Sequence, residues 1–117
     1  MATIIIYGIP NCDTIKKTMD WFKKSQLETV FHDYKKEGIT KEKLTAWCKQ
    51  VGWEILLNKK STTWRSLSPE EQSKTTSQAS AIQLMKMQTS IIKRPVIEVD
   101  GKLLVGFDEK NIQKFLA

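Results

Sequence analysis

The sequence is poor in the residues from which proteins build disulfide frameworks, metal centres and membrane spans. Two cysteines among 117 residues are too few for a disulfide scaffold. A single histidine and scattered acidic residues give neither cysteine partners at ligand spacing, so no metal is expected. No apolar run approaches the roughly 20 residues that a membrane span needs. The opening "MATIIIYGIPNC" has no basic region and only a four-residue apolar run, so it does not read as a signal peptide. Repeats, low-complexity tracts and long linkers are not visible. Together these absences make a cytoplasmic protein with reduced thiols the expectation.

What is present suits one compact domain spanning residues 1 to 117. The chain is 40% apolar, enough for a core without covalent staples. Nineteen basic residues against thirteen acidic ones give a net charge of +6, a balance that favours anionic partners. Taken alone, the lysine doublets at 16–17, 23–24, 35–36 and 59–60 also fit an ordinary solvated surface.

Along the chain the hydrophobic period changes several times. "TIIIY", residues 3 to 7, reads as a buried strand. Ile15, Met19 and Phe22 then recur at helical spacing, which predicts a helix from 12 to about 25 with Asn11 as N-cap and Asp13 in the first turn. "TVFHDY" reads as a second strand, with His32 a strand residue and not a general base. In "TKEKLTAWCKQVG" the face Leu44, Trp47, Cys48 and Val51 marks a helix that Gly52 can close. Ser61 and Ser68 are candidate caps, with Pro69 at a first helical position. Residues 77 to 88 carry a further helix. "RPVIEVDGKLLVGF" reads as strand, Asp100-Gly101 turn and strand, before a helix capped by Asp108 with Ile112, Phe115 and Leu116 inward. The order β-α-β, helices, β-β-α predicts an α/β sheet with a helical insertion at about 38–90. Trp21, Trp47, Trp53 and Trp64 do not interleave with lysines as a stacking platform would, so direct nucleic-acid binding is not expected.

The two cysteines read differently. Cys48 is a small hydrophobe on a helix face. Cys12 sits where a strand passes into a helix, and the unpaired amides of a helix start stabilise a thiolate, the nucleophilic form. Lys16 and Lys17 lie one turn on, and Thr14 adds a hydroxyl to the loop. No cysteine stands at position 15 to complete a Cys-x-x-Cys, so a reactive Cys12 must find its second thiol elsewhere. Arg94 precedes Pro95 at the entrance to a strand, a place where a cis peptide is plausible. The start of the third strand falls beside the end of the first in such a sheet, which would bring Arg94 near Cys12. Without the fold, Arg94 reads equally well as a surface residue.

"YGIPNCDTIKK", "LLNKKSTTWR" and the "RPV" before the final hairpin together resemble the ArsC/Spx family of thioredoxin-like proteins, most closely its YffB branch. The resemblance covers essentially the whole chain. It implies a thioredoxin-like mixed sheet of four strands with the helical insertion between the second and third. It also implies a thiol site at Cys12, a cis bond at Pro95 and Arg94 facing that site. Arsenate reductases of this family use three arginines, of which only Arg94 carries over. The first position falls at Asn58, beside Lys59 and Lys60, and the third at or next to Gly106 and Phe107. The histidine of their first loop is replaced by Gly8. These departures weigh against arsenate reduction.

The resulting expectation is an oxidoreductase: a glutathione-dependent thiol-disulfide reductase with one active-site cysteine. Cys12 and Arg94 are its catalytic residues, and Asn11, Thr14, Lys60, Arg65 and Pro95 bind the substrate. No cofactor is bound, and glutathione serves as co-substrate. The alternative is a regulatory protein of the Spx type docking on RNA polymerase.

Overall fold

A computed structural model describes residues 3 to 116. By internal packing the chain divides into two compact units. One holds the described residues up to Glu37 together with those from Arg94 onward, and the other is Gly38–Lys93.

The first unit carries the sheet. Strands β1 (Ile4–Gly8), β2 (Val30–Asp33), β3 (Val96–Val99) and β4 (Lys102–Val105) lie in the order β2-β1-β3-β4. β1 runs parallel to β2 and antiparallel to β3, and β3 is antiparallel to β4, so the sheet is mixed. The parallel pair requires a crossover, which helix α1 (Asp13–Lys24) supplies. The antiparallel pair β3–β4 needs only two turn residues, and Asp100 and Gly101 both take positive φ, +49° and +87°, as a tight hairpin demands. Helix α8 (Glu109–Leu116) follows, with its amides at Lys110 and Asn111 donating to the Asp108 carboxylate at 3.0 and 3.5 Å.

Alternation along the strands sorts the side chains to two faces. Ile4, Ile6 and Ile97 meet Ile15 and Phe22 of α1 and Ile112 of α8 in one core cluster. Tyr7, His32 and Glu98 belong to the opposite face, where the Tyr7 and His32 rings stack at 4.8 Å and Tyr7 donates to Glu98 at 3.0 Å. Gly8 has a steric reason: a Cβ there would run into the Ile15 side chain, so β1 and α1 approach too closely for a larger residue.

The second unit is helical. It contains α3 (Lys41–Val51), α4 (Trp53–Leu56), α5 (Thr62–Ser66), α6 (Pro69–Lys74) and α7 (Gln78–Met87), with a 3₁₀ turn at Thr89–Ile91. Leu44, Trp47, Leu56, Ala81, Met85 and Ile91 are wholly buried. Ser61 and Ser68 cap as expected, accepting from the Trp64 and Glu71 amides, and Thr40 accepts from Lys43, each at 3.1 Å. Gly52 closes α3 at φ +86°. A short helix, α2 (Tyr34–Glu37), ends the first segment of the sheet unit. The architecture is α/β and thioredoxin-like. Among the described residues no helix is long and apolar enough to cross a membrane.

Two local expectations need correction. The N-cap of α1 is Cys12, not Asn11: the Lys16 amide donates to the Cys12 carbonyl at 3.0 Å. Asn11 instead takes φ +61° in the tight loop, a conformation asparagine tolerates better than most residues. The second strand stops at Asp33, and Tyr34 begins α2.

Candidate active site

β1 delivers the chain to one end of the sheet, and the loop of residues 9–12 turns it into α1. Cys12 has extended backbone there, φ −114° and ψ 126°, and its side chain makes no capping hydrogen bond. The thiol is half-buried, packed in part against the core cluster, and it is free. Ordinary N-cap side chains are consumed by the first amides. This one is not: the Cys12 side chain makes no hydrogen bond to them.

Arg94 reaches the same end of the sheet from the other direction. Val96, two residues after Arg94, pairs with Tyr7 near the end of β1, so Arg94 enters β3 at the end of the sheet from which the Cys12 loop leaves. The Arg94–Pro95 bond is cis. Pro95 is buried, and its carbonyl accepts from the Gly106 amide at 2.8 Å, which continues the β3–β4 ladder past its last strand residue. The Arg94 side chain is half-buried and makes no ion pair or hydrogen bond among the described residues. Asn11 is exposed in the loop; Thr14 is half-buried in the first turn of α1, where its carbonyl accepts from the Thr18 hydroxyl at 2.7 Å. Cys12, Asn11, Thr14, Arg94 and Pro95 therefore all lie at one end of the sheet unit.

Lys60 and Arg65 lie in the helical unit. Both are exposed; the Lys60 amide donates to the Asn58 side chain at 3.0 Å, and Arg65 is in the last turn of α5. Lys59 rests over the Trp64 ring at 5.6 Å. Cys48 is buried on α3, and burial pushes its thiol up from the ordinary 9.0. His32 faces Glu37 at 3.5 Å. No cluster of three metal-ligating side chains occurs among the described residues.

One residue escaped the reading of the sequence. Tyr34 is buried on the Tyr7 face, at the same end of the sheet as Arg94, with its ring 6.3 Å from that of Tyr7. Only the mixed polarity of "FHDY" hinted at a polar interior there. A pocket of about 240 Å³ beside α1, lined by Lys17, Trp21, Lys24, Phe107 and the carboxylates of Asp20 and Glu109, has mixed charge.

Known proteins share this fold. The model of the ArsC family matches residues 7–115. Among solved structures, the YFFB protein is 43% identical, covers 98% of this chain and 100% of its own, and superposes with a TM-score of 0.92. An arsenate reductase (ArsC) related protein from Brucella melitensis is 46% identical over 97% of this chain and 94% of its own, with a TM-score of 0.77. An uncharacterized protein of Haemophilus influenzae is 41% identical over 97% of this chain and 99% of its own. The global transcriptional regulator Spx of Lactiplantibacillus plantarum is 24% identical over 97% of this chain and 86% of its own. With the cysteine loop and the cis Arg94–Pro95 step both inside the matched span, the chain belongs to the ArsC family.

Proposed function

We propose that this chain is a thiol-disulfide oxidoreductase that uses Cys12 as its nucleophile and glutathione as the second thiol. The observation that carries this reading is the setting of Cys12: half-buried, untied at a helix start, and one loop from an arginine that has no partner among the described residues. The Cys12 thiolate attacks one sulfur of a substrate disulfide. A mixed disulfide forms on Cys12, and the other substrate sulfur leaves as a thiolate. A glutathione thiolate then attacks the outer sulfur of the adduct. Cys12 is released, and the substrate fragment departs as a disulfide with glutathione. Arg94 holds a carboxylate of the incoming thiol or disulfide, and the loop at Asn11 and Thr14 sets the approach.

The likeness to an arsenate reductase related protein supports redox chemistry at this position. Arsenate itself is disfavoured, because Asn58, and Gly106 or Phe107, stand where the reductases of this family carry further arginines.

The test is mass spectrometry of the chain exposed to glutathione disulfide, with turnover of a small disulfide followed in parallel. One glutathione is expected on Cys12, and Cys12→Ser is expected to lose both adduct and turnover while remaining folded. A serine variant with full activity would sink the mechanism. A second reading, regulatory docking on the transcription machinery, draws on the likeness to Spx. It would be favoured by a stable complex with a transcription component together with no exchange at Cys12.

A further inference from the structure

The helical unit carries surface that the chemistry of Cys12 does not use. Its helices α3 and α7 are packed neighbours. Between them lies a depression of about 320 Å³, lined by Lys41 of α3 and by Ala79, Ile82, Gln83 and Lys86 of α7. These four α7 positions recur at i, i+3, i+4 and i+7, so they form one stripe of that helix. A second depression of about 360 Å³ runs along α3, lined by Glu42, Thr45, Ala46 and Lys49, and Lys41 borders this one too. Both hollows are mostly apolar and open to solvent. Lys41, Ala46, Ala79, Gln83 and Lys86 are exposed, while Ile82 is only 5% exposed.

The charge around the hollows is mainly of one sign. Lys41, Lys49 and Lys86 border them against a single acid, Glu42. None of the three ammonium groups makes an ion pair among the described residues. Elsewhere in the same unit an acid does face its lysine, as Glu70 faces Lys74 at 3.4 Å. The field over the α3–α7 surface is therefore positive and uncompensated.

An occupant of this surface must bring apolar side chains and negative charge together. Nucleic acid supplies phosphates but no apolar side chains, and would leave the hollows unfilled. One small carboxylate could fill one hollow and reach Lys41, but it would leave the other open. The dimensions point the same way. At 1.5 Å per residue, Lys41 to Lys49 spans about 12 Å and Ala79 to Lys86 about 10 Å. That is about two helical turns, so side chains on successive turns of an incoming helix can enter both hollows.

We propose that the α3–α7 surface is a docking groove for an acidic amphipathic helix of another protein. The apolar stripe of the partner fills the two hollows, and its flanking carboxylates face Lys41, Lys49 and Lys86. Charges at such an open rim set the association rate and the choice of partner, and salt screens them. The proposal does not depend on the reading of Cys12, and it gives the helical unit a role of its own.

The probe is a fluorescein-labelled peptide of about 15 residues, long enough to become helical on contact. It carries leucines at i, i+3, i+4 and i+7 with glutamates beside them. Anisotropy titration with the full chain is expected to show saturable binding that weakens as salt rises. Lys41→Glu combined with Lys86→Glu should lower the affinity about tenfold. Ala79→Glu, which sets a carboxylate in the first hollow, should act in the same direction. These substitutions fall on exposed residues, so circular dichroism and the thermal midpoint should match the parent. Where the lysine pair fails to fold, Ala79→Glu decides the question alone. A peptide of the same composition, scrambled out of its amphipathic pattern, should not bind. Absence of binding, equal binding of the scrambled peptide, or indifference to the substitutions would overturn the proposal. An oligonucleotide of equal charge that binds as tightly, with the same losses in the variants, would overturn it too. So would complete displacement of the peptide by octanoate, which would make the surface a site for small carboxylates.

Discussion

Cys12 and Cys48 bring the same thiol into different surroundings. Cys48 lies on the buried face of α3 beside Trp47, 5% exposed, and desolvation keeps it protonated. Cys12 is half-buried at an open helix start. N-ethylmaleimide should therefore add once to the native chain, at Cys12, and twice in denaturant; peptide mapping reads the sites. Native labelling of Cys48 at a comparable rate would contradict its burial. Cys48 was legible in the sequence because Leu44, Trp47, Cys48 and Val51 repeat at helical spacing, and packing follows spacing. Asn11 was misread as the cap because its side chain suits two roles. It can cap a helix or take a left-handed turn, and only the path of the chain from Gly8 to Cys12 decides between them.

Among the elements, the tightest constraint is where β1 leaves the sheet and α1 crosses it. Gly8 lies against Ile15, a core residue 5% exposed, and an added methyl would have no space. Gly8→Ala should destabilise the chain by about 1–3 kcal/mol through overpacking. The double variant Gly8→Ala with Ile15→Ala should show a coupling that returns part of that loss; chemical denaturation measures both. Strictly additive effects would show that the contact relaxes freely. The caps at Ser61 and Ser68 were readable, and each accepts from an amide near the helix start. The four-residue helices α2 and α4 were not, because one turn is too short to display a period.

For the molecule as a whole, the order of elements along the chain followed from local signals, and the four-stranded sheet from the family resemblance. A β-α-β order allows a parallel pair, and Asp100-Gly101 between two apolar runs favours a hairpin. The pairing of rows did not follow, since Tyr7 stands between His32 and Val96 only through two registers that no local pattern encodes. Three buried acids share one direction of shift: Cys48 is raised from 9.0, and Tyr7 and Tyr34 from 10.0, with burial the largest cause for each. The unfolded chain releases these protons first. The stability they carry is therefore complete below 9.0 and declines as pH rises through 10.0 toward the raised native values. The thermal midpoint should fall on the alkaline side, and the combined Cys48→Ser, Tyr34→Phe variant should fall less steeply. Identical slopes would mean that these groups do not govern the alkaline limb.

The isolation of Cys12 has a consequence for electron accounting. A pair of neighbouring thiols can store two electrons and so has a potential of its own. With Cys48 closed in and Ile15 where a partner would stand, Cys12 cannot close such a loop by itself. Any disulfide it forms must join it to a thiol from another molecule. Under the proposed exchange its poise would be borrowed from the small thiols it meets, and the identity of the conjugate would record which one.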